Sequence, residues 1–251
     1  MPEIIEQIRE CTKCNLRNLV CKSFGKRDTF NTFCFYYSEA EVREARFIMI
    51  MQNPGQGTDY ATTDENIELI HATSNNFIEI NQKYLLKWLR GKNKAFIKPF
   101  INKLKEHGLV SYSFSEDGNY ENSLLKDFLF TDVVKCRATT SETKEYVDTC
   151  FNNYLVHELK LFGENKLIFV FGTRAWTTIY KHDEFVDKTK LDNQKQMHLV
   201  SQAHGFLFPS KIPNTFFIPL SHFSQTQFNK FLRNSYFDYL EQGLKQYSEQ
   251  K

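Results

Sequence analysis

The chain has 251 residues, 41% of them apolar and 15% aromatic, and a formal net charge of only +2. That size and apolar content suit one well-cored α/β domain, and the near balance of charge excludes a uniformly basic or acidic protein. No run approaches the roughly 18 apolar residues that cross a bilayer, and the acidic, amphipathic N-terminus lacks the apolar stretch of a signal peptide.

Residues 3–10 predict a short helix that leads into Cys11-Thr-Lys-Cys14. Two thiols on one turn form a clip used by zinc, by iron–sulfur clusters and by redox pairs. Cys21 and Cys34 follow without a patterned partner and read as buried or incidental thiols. Six cysteines with no secretion signal predict a cytoplasmic, reducing setting, where metal ligation is favoured over disulfides.

Residues 46–51, Arg-Phe-Ile-Met-Ile-Met, predict a strand covered on both faces. It stops at Gln52-Asn53-Pro54-Gly55-Gln56-Gly57, a polar, glycine-rich turn of the kind that meets ligands at strand carboxyl ends. Residues 64–105 predict interrupted helix, and within them residues 83–105 carry eight Lys or Arg and no Asp or Glu. The rest of the chain then holds 24 basic against 30 acidic residues. This basic segment reads either as a polyanion-binding surface or as a solvated helical face. Gly108 closes the helical region, and residues 111–122 predict a polar loop.

Residues 128–137, Phe-Leu-Phe-Thr-Asp-Val-Val-Lys-Cys-Arg, begin as a buried strand and then deliver Asp132, Lys135, Cys136 and Arg137 within six residues. A helix is predicted over residues 142–161 and contains Cys150. Residues 166–172 predict a third strand, 173–180 a helix, 181–196 a charged surface excursion, and 215–220 a fourth strand ending at Ser221-His222-Phe223-Ser224-Gln225. An amphipathic helix over residues 228–247 completes the pattern. Four buried strands separated by helices predict a three-layer α/β/α fold around a four-stranded parallel sheet. The polar residues after each strand, Gln52-Asn53, Asp132, Thr173-Arg174 and His222, would then converge on one edge.

With Cys11-Thr-Lys-Cys14, Val133-Val134-Lys135-Cys136-Arg137 and Cys150, the chain resembles the uracil-DNA glycosylase superfamily, most closely its iron–sulfur branch, family 4. The resemblance runs from Cys11 to about Phe231. It implies a single domain over residues 1–251, with a cluster-binding segment at 1–40 and the α/β core and terminal helix at 41–251. It also implies a 4Fe–4S cluster on Cys11, Cys14, Cys136 and Cys150, with zinc in the same thiolates as the alternative. The cluster's implied role is structural.

Met51-Gln52-Asn53-Pro54-Gly55 stands where that branch has Gly-Glu-Ala-Pro-Gly, and Asp59 matches an acidic residue further along. The Asn-Pro-Gly core is similar to other branches, in which an Asn at the position of Asn53 holds the attacking water. Gln52 and Asn53 are therefore expected to position water, and His222, in His222-Phe223-Ser224, to stabilise the departing base. Asp132 replaces the family's base-reading Asn, so it either reads a carbonyl as a neutral acid or prefers another base. Tyr60, or else Phe77, is the candidate to stack on the base. Lys135, Arg137, Ser224 and the basic segment are expected to contact DNA phosphates, and Gln225 takes the position of the strand-inserting residue. The resemblance implies a monomeric DNA glycosylase of base excision repair. The altered motifs leave a catalytically inactive DNA-binding protein as the alternative.

Overall fold

Each of the four apolar runs forms a strand of five residues, because nearly every residue in them is covered on either side of the sheet. The computed structural model describes residues 7, 11, 13, 39–52, 79, 85–86, 89–91, 94–115, 118–135, 144–191, 197–223 and 230–250. The strands are β1 (Phe47–Met51), β2 (Phe128–Asp132), β3 (Leu167–Phe171), β4 (Phe208–Pro209) and β5 (Phe216–Leu220). Their order is β2-β1-β3-β5-β4. The first four in that order are parallel, and β4 is antiparallel to β5.

Among the described residues the sheet thus has five strands rather than the four expected. The fifth is only two residues long and contains Pro209, which has no N–H to give a ladder and is tolerated at an edge. Such a strand leaves no periodic signal in the sequence.

The described helices are α1 (Glu39–Glu44), α2 (Lys94–Glu106), α3 (Glu121–Asp127), α4 (Lys144–Cys150), α5 (Val156–Phe162), α6 (Thr173–Lys181), α7 (Val200–Ala203) and α8 (Lys230–Ser248). A π-helical stretch, Phe151–Leu155, joins α4 to α5, so the helix expected over 142–161 is present but locally unwound. There the Asn153 side-chain amide donates to the Thr149 carbonyl at 2.7 Å, competing for a backbone acceptor of the helix. Helix α3 lies between the loop expected over residues 111–122, whose last two residues it takes in, and β2. Its buried Glu121 is held by Arg90 in a two-point pair at 2.6 and 2.5 Å. Among the described residues no helix is long and apolar enough to cross a membrane.

Strand alternation divides the core into two unlike layers. Phe47, Met49, Phe128, Phe130, Phe169 and Phe171 face one side, where Phe96 and Phe100 of α2 and Tyr236 and Leu240 of α8 cover them. Ile48, Ile50, Leu129, Ile168 and Val170 face the other, under the π stretch, α5 and α6. Burying each of these side chains stabilises the fold by roughly 1.5–3 kcal/mol. The chain reverses direction after β2, and right-handed crossovers then place the helices before and after it on opposite faces.

Helix α8 approaches β5 closely because two glycines meet. A Cβ on Gly205 (φ +78°) would run into the Tyr239 carbonyl, and one on Gly243 would run into the Gly205 carbonyl. The Gly205 N–H donates to Pro219 O at 2.9 Å, which fixes this crossing to the end of β5. At the opposite edge of the sheet, buried Lys166 donates to the carbonyls of Val42 (3.1 Å), Arg43 (2.7 Å) and Ala45, closing the C-terminal end of α1. A cation there complements the orphan carbonyls of a helix terminus.

Candidate active site

The strand order reverses between β1 and β3, so the crevice outside their carboxyl ends is where a sheet of this topology takes a ligand. Gln52 follows β1 and Gly172 follows β3. The Gly172 N–H donates to Leu220 O at 2.8 Å, which ties this turn to the end of β5. Gly172 has φ +96°, and a Cβ there would lie 3.7 Å from Gln52 Oε1 and 3.7 Å from His222 Cβ. Gln52 and His222 therefore meet across a glycine whose missing side chain leaves the crevice open. On the other flank, the Val133 and Val134 N–H groups donate to Met51 O (2.8 Å) and Gln52 O (2.9 Å), and Met51 pairs in register with Asp132.

His222 is held from both sides. The Ser221 N–H donates to His204 Nδ1 at 2.9 Å, and the Tyr236 hydroxyl donates to Ser221 O at 2.6 Å. Phe223 stacks on Phe96 with ring centroids 4.6 Å apart and on His222 at 4.8 Å, and it meets the edge of Phe171 at 5.8 Å. Aromatic packing thus fixes the loop at Phe223. Burial lowers the His222 pKa to about 4, so near neutral pH its imidazole is uncharged and keeps one N–H to donate. His204 is also lowered to about 4 by burial. Because its Nδ1 accepts, its proton sits on Nε2, which has no hydrogen-bond partner among the described residues and lies among the rings of Tyr236 and Tyr239.

Beyond β2, Lys135 is 1% exposed. Its ammonium donates to Glu158 of α5 at 2.6 Å and to Thr131 Oγ1 at 2.5 Å, and Thr131 donates to the same Glu158 oxygen at 3.0 Å. The expectation that Lys135 holds a DNA phosphate is therefore corrected. Lys135 is an internal counter-ion that pins the end of β2 to α5. Asp132 is equally buried, and its Oδ1 has no partner among the described residues. It is in phase with Phe128 and Phe130, whereas Thr131 reaches Glu158 on the other face. Burial raises the Asp132 pKa from 3.8 to about 7, with Lys135 opposing that rise and Glu158 adding to it.

Cys11 and Cys150 are both buried in the layer that contains Tyr146, Val147 and Tyr154. The Lys13 N–H points at Cys11 Sγ (3.5 Å), and the Tyr154 hydroxyl donates to Gln7 O at 3.2 Å, fastening the N-terminal segment to the π stretch. Buried thiols, one with an amide aimed at its sulfur, fit the donor chemistry of a thiolate-held metal group. Among the described residues no group of three His, Cys, Asp or Glu is gathered to hold a metal. Cys14 and Cys136 lie outside the described residues, as do Cys21 and Cys34.

Of the expected site residues, the structure gathers Gln52, Asp132 and His222 along one sheet edge. Asn53, Asp59, Tyr60, Phe77, Arg137, Ser224 and Gln225 lie outside the described residues. The basic segment is not a uniform stripe. Arg90 is paired with Glu121, Lys103 lies 2.8 Å from both Glu106 and Glu241, and Lys105 donates to Ser113. Exposed Lys98 lies on the half of α2 nearer the crevice, where Phe96 stacks on Phe223. Sequence reasoning missed Gly172, His204, Tyr236 and Glu158. A glycine between an apolar strand and a helix was a usable signal for Gly172, but the other three act through backbone or distant partners. No curated protein matches the chain. A family model, the uracil DNA glycosylase superfamily, matches residues 40–245.

Proposed function

Because the chain belongs to the uracil DNA glycosylase superfamily, we propose that it is a DNA glycosylase that removes a flipped-out damaged or deaminated base. The observation that carries this reading is the meeting of Gln52 and His222 over Gly172, at the point where the strand order reverses. A base swung out of the stack enters the crevice between the ends of β1, β3 and β5. As the C1′–N bond breaks, its electron pair passes to the base, and the neutral His222 donates a hydrogen bond to the carbonyl oxygen that gains charge. Water then adds to the cationic sugar and loses a proton to solvent. Gln52 and Asn53 orient that water, which needs little activation against such an electrophile. Arg137 and Ser224 hold phosphates, Gln225 fills the gap left in the stack, and Tyr60 packs on the base.

We further propose that Cys11, Cys14, Cys136 and Cys150 hold a 4Fe–4S cluster. The burial of Cys11 and Cys150 in one layer and the amide directed at Cys11 Sγ support it. When bound, the cluster supplies a cross-link between the N-terminal segment, the turn after β2 and α4. Visible absorbance together with iron and sulfide analysis separates it from zinc in the same ligands.

The test of activity is a panel of oligonucleotides carrying single lesions (uracil, hypoxanthine, xanthine, oxidised pyrimidines), incubated with protein and cleaved with alkali. Release from at least one, lost in Gln52→Ala and His222→Ala, is expected; no release from any with the cluster intact overturns the reading. The amide at Gln52, in place of the branch's carboxylate, favours one rival, a DNA-binding protein without turnover. For it, DNA affinity falls steeply with salt and neither substitution changes it.

A further inference from the structure

Buried polar groups are ordinarily paired, and a buried carboxylate needs a cation or several donors to stay ionised. Among the described residues Asp132 Oδ1, buried at the end of β2 one strand from Gln52, is bonded to neither. The buried ammonium of Lys135 is committed instead to Glu158 and Thr131 at 2.6 and 2.5 Å. Two carboxyl groups, Asp132 and Glu158, thus share one cation, and geometry gives the cation to Glu158. Asp132 is the surplus acid. A neutral carboxyl offers one O–H donor beside one acceptor oxygen, the same complement as an amide, whereas an ionised carboxylate offers acceptors only.

Resting on the glycosylase reading, we propose that Asp132 reads the base edge as a neutral carboxylic acid, its O–H and its acceptor oxygen matched to a base carbonyl and the ring N–H beside it. The ring N–H donates to the carboxyl's acceptor oxygen, and the carboxyl's O–H donates to the base carbonyl. Ionisation of Asp132 removes that donor and sets an anion against the base carbonyl, so recognition is lost as pH rises. Among the described residues the charged groups whose fields act on Asp132 are Lys135, which favours ionisation, and Glu158, which opposes it; burial dominates both and sets the titration near neutrality, at about 7. His222 titrates far below, at about 4, so it does not account for a loss on the alkaline side.

The test is single-turnover excision from oligonucleotides carrying uracil, hypoxanthine or cytosine, from about pH 5 to about pH 9, for the wild type and for Asp132→Asn. The wild-type rate on uracil or hypoxanthine is expected to fall about tenfold per unit above about pH 7, while Asp132→Asn excises with a flat profile. A second measurement is independent of turnover: difference infrared spectra of wild type against Asp132→Asn should show a neutral carboxyl stretch at pH 6 that disappears at pH 9. Release with the same alkaline loss in both proteins, or no carboxyl band at pH 6, overturns this proposal and leaves the glycosylase reading standing. Release confined to cytosine and rising with pH also overturns it. No release from either protein at any pH overturns both.

Discussion

The two buried lysines at opposite edges of the sheet solve the same problem differently. Lys166, at the amino edge, has no carboxylate partner among the described residues; three carbonyls at the end of α1 receive its ammonium. Lys135, at the carboxyl edge, is paired with Glu158, and a second acid beside it is left over. Among the described residues the buried carboxyl and imidazole atoms without partners are Asp132 Oδ1, Glu158 Oε1 and His204 Nε2, on the side that opens at the crevice. At the amino edge the corresponding group is a neutral phenol, Tyr112, beside Asp127 and Arg46. Unpaired buried acid and imidazole atoms therefore distinguish the working edge from the structural one.

That contrast is broken most severely by Glu158→Ala, which strands the Lys135 charge inside the protein. It is expected to cost roughly 3–5 kcal/mol in urea unfolding. Asp132→Asn sharpens the contrast through pH. With its folded pKa raised from 3.8 to about 7, Asp132 holds its proton in the native state after the unfolded chain has lost it. Stability should then fall as pH rises from about 4 to about 7 and level off above, by at most about 4 kcal/mol. Asp132→Asn should remove that slope in urea titrations at several pH values.

Lys166→Met should cost about 2 kcal/mol by leaving the α1 carbonyls unmet, yet leave single-turnover excision unchanged, since this edge is structural. Equal loss of excision and stability would contradict the division between the edges. The smallest stability effect belongs to Tyr236→Phe, about 1 kcal/mol for one hydrogen bond. Its kinetic signature should be a lower kcat with KM nearly unchanged, because Tyr236 holds the peptide before His222 and need not touch substrate.

The four long strands were legible because residues covered on both faces leave unbroken apolar runs, and the polar residues after those runs marked the edge that opens. The short strand at Phe208–Pro209 was not, since two residues carry no period and Pro argues against a ladder. Lys135 was misread for a deeper reason. A cation beside a thiol looks the same in sequence whether it meets phosphate or an acid 23 residues later on a packed helix. His204 and Tyr236 left no signature because both grip a backbone peptide, that of Ser221, which any residue would supply. The pairing of Gln52 with His222 depended on Gly172, a residue whose contribution is an absence.

The crossing of Gly205 and Gly243 sets the clearance of α8 above the sheet, and it does so at one end of a long lever. Tyr236 sits seven residues away, about 10 Å along the helix axis. A single methyl group at Gly243 would lift the helix at this fulcrum and swing the tyrosine hydroxyl away from the peptide it steadies. His222 would lose its alignment to a change that never enters the crevice.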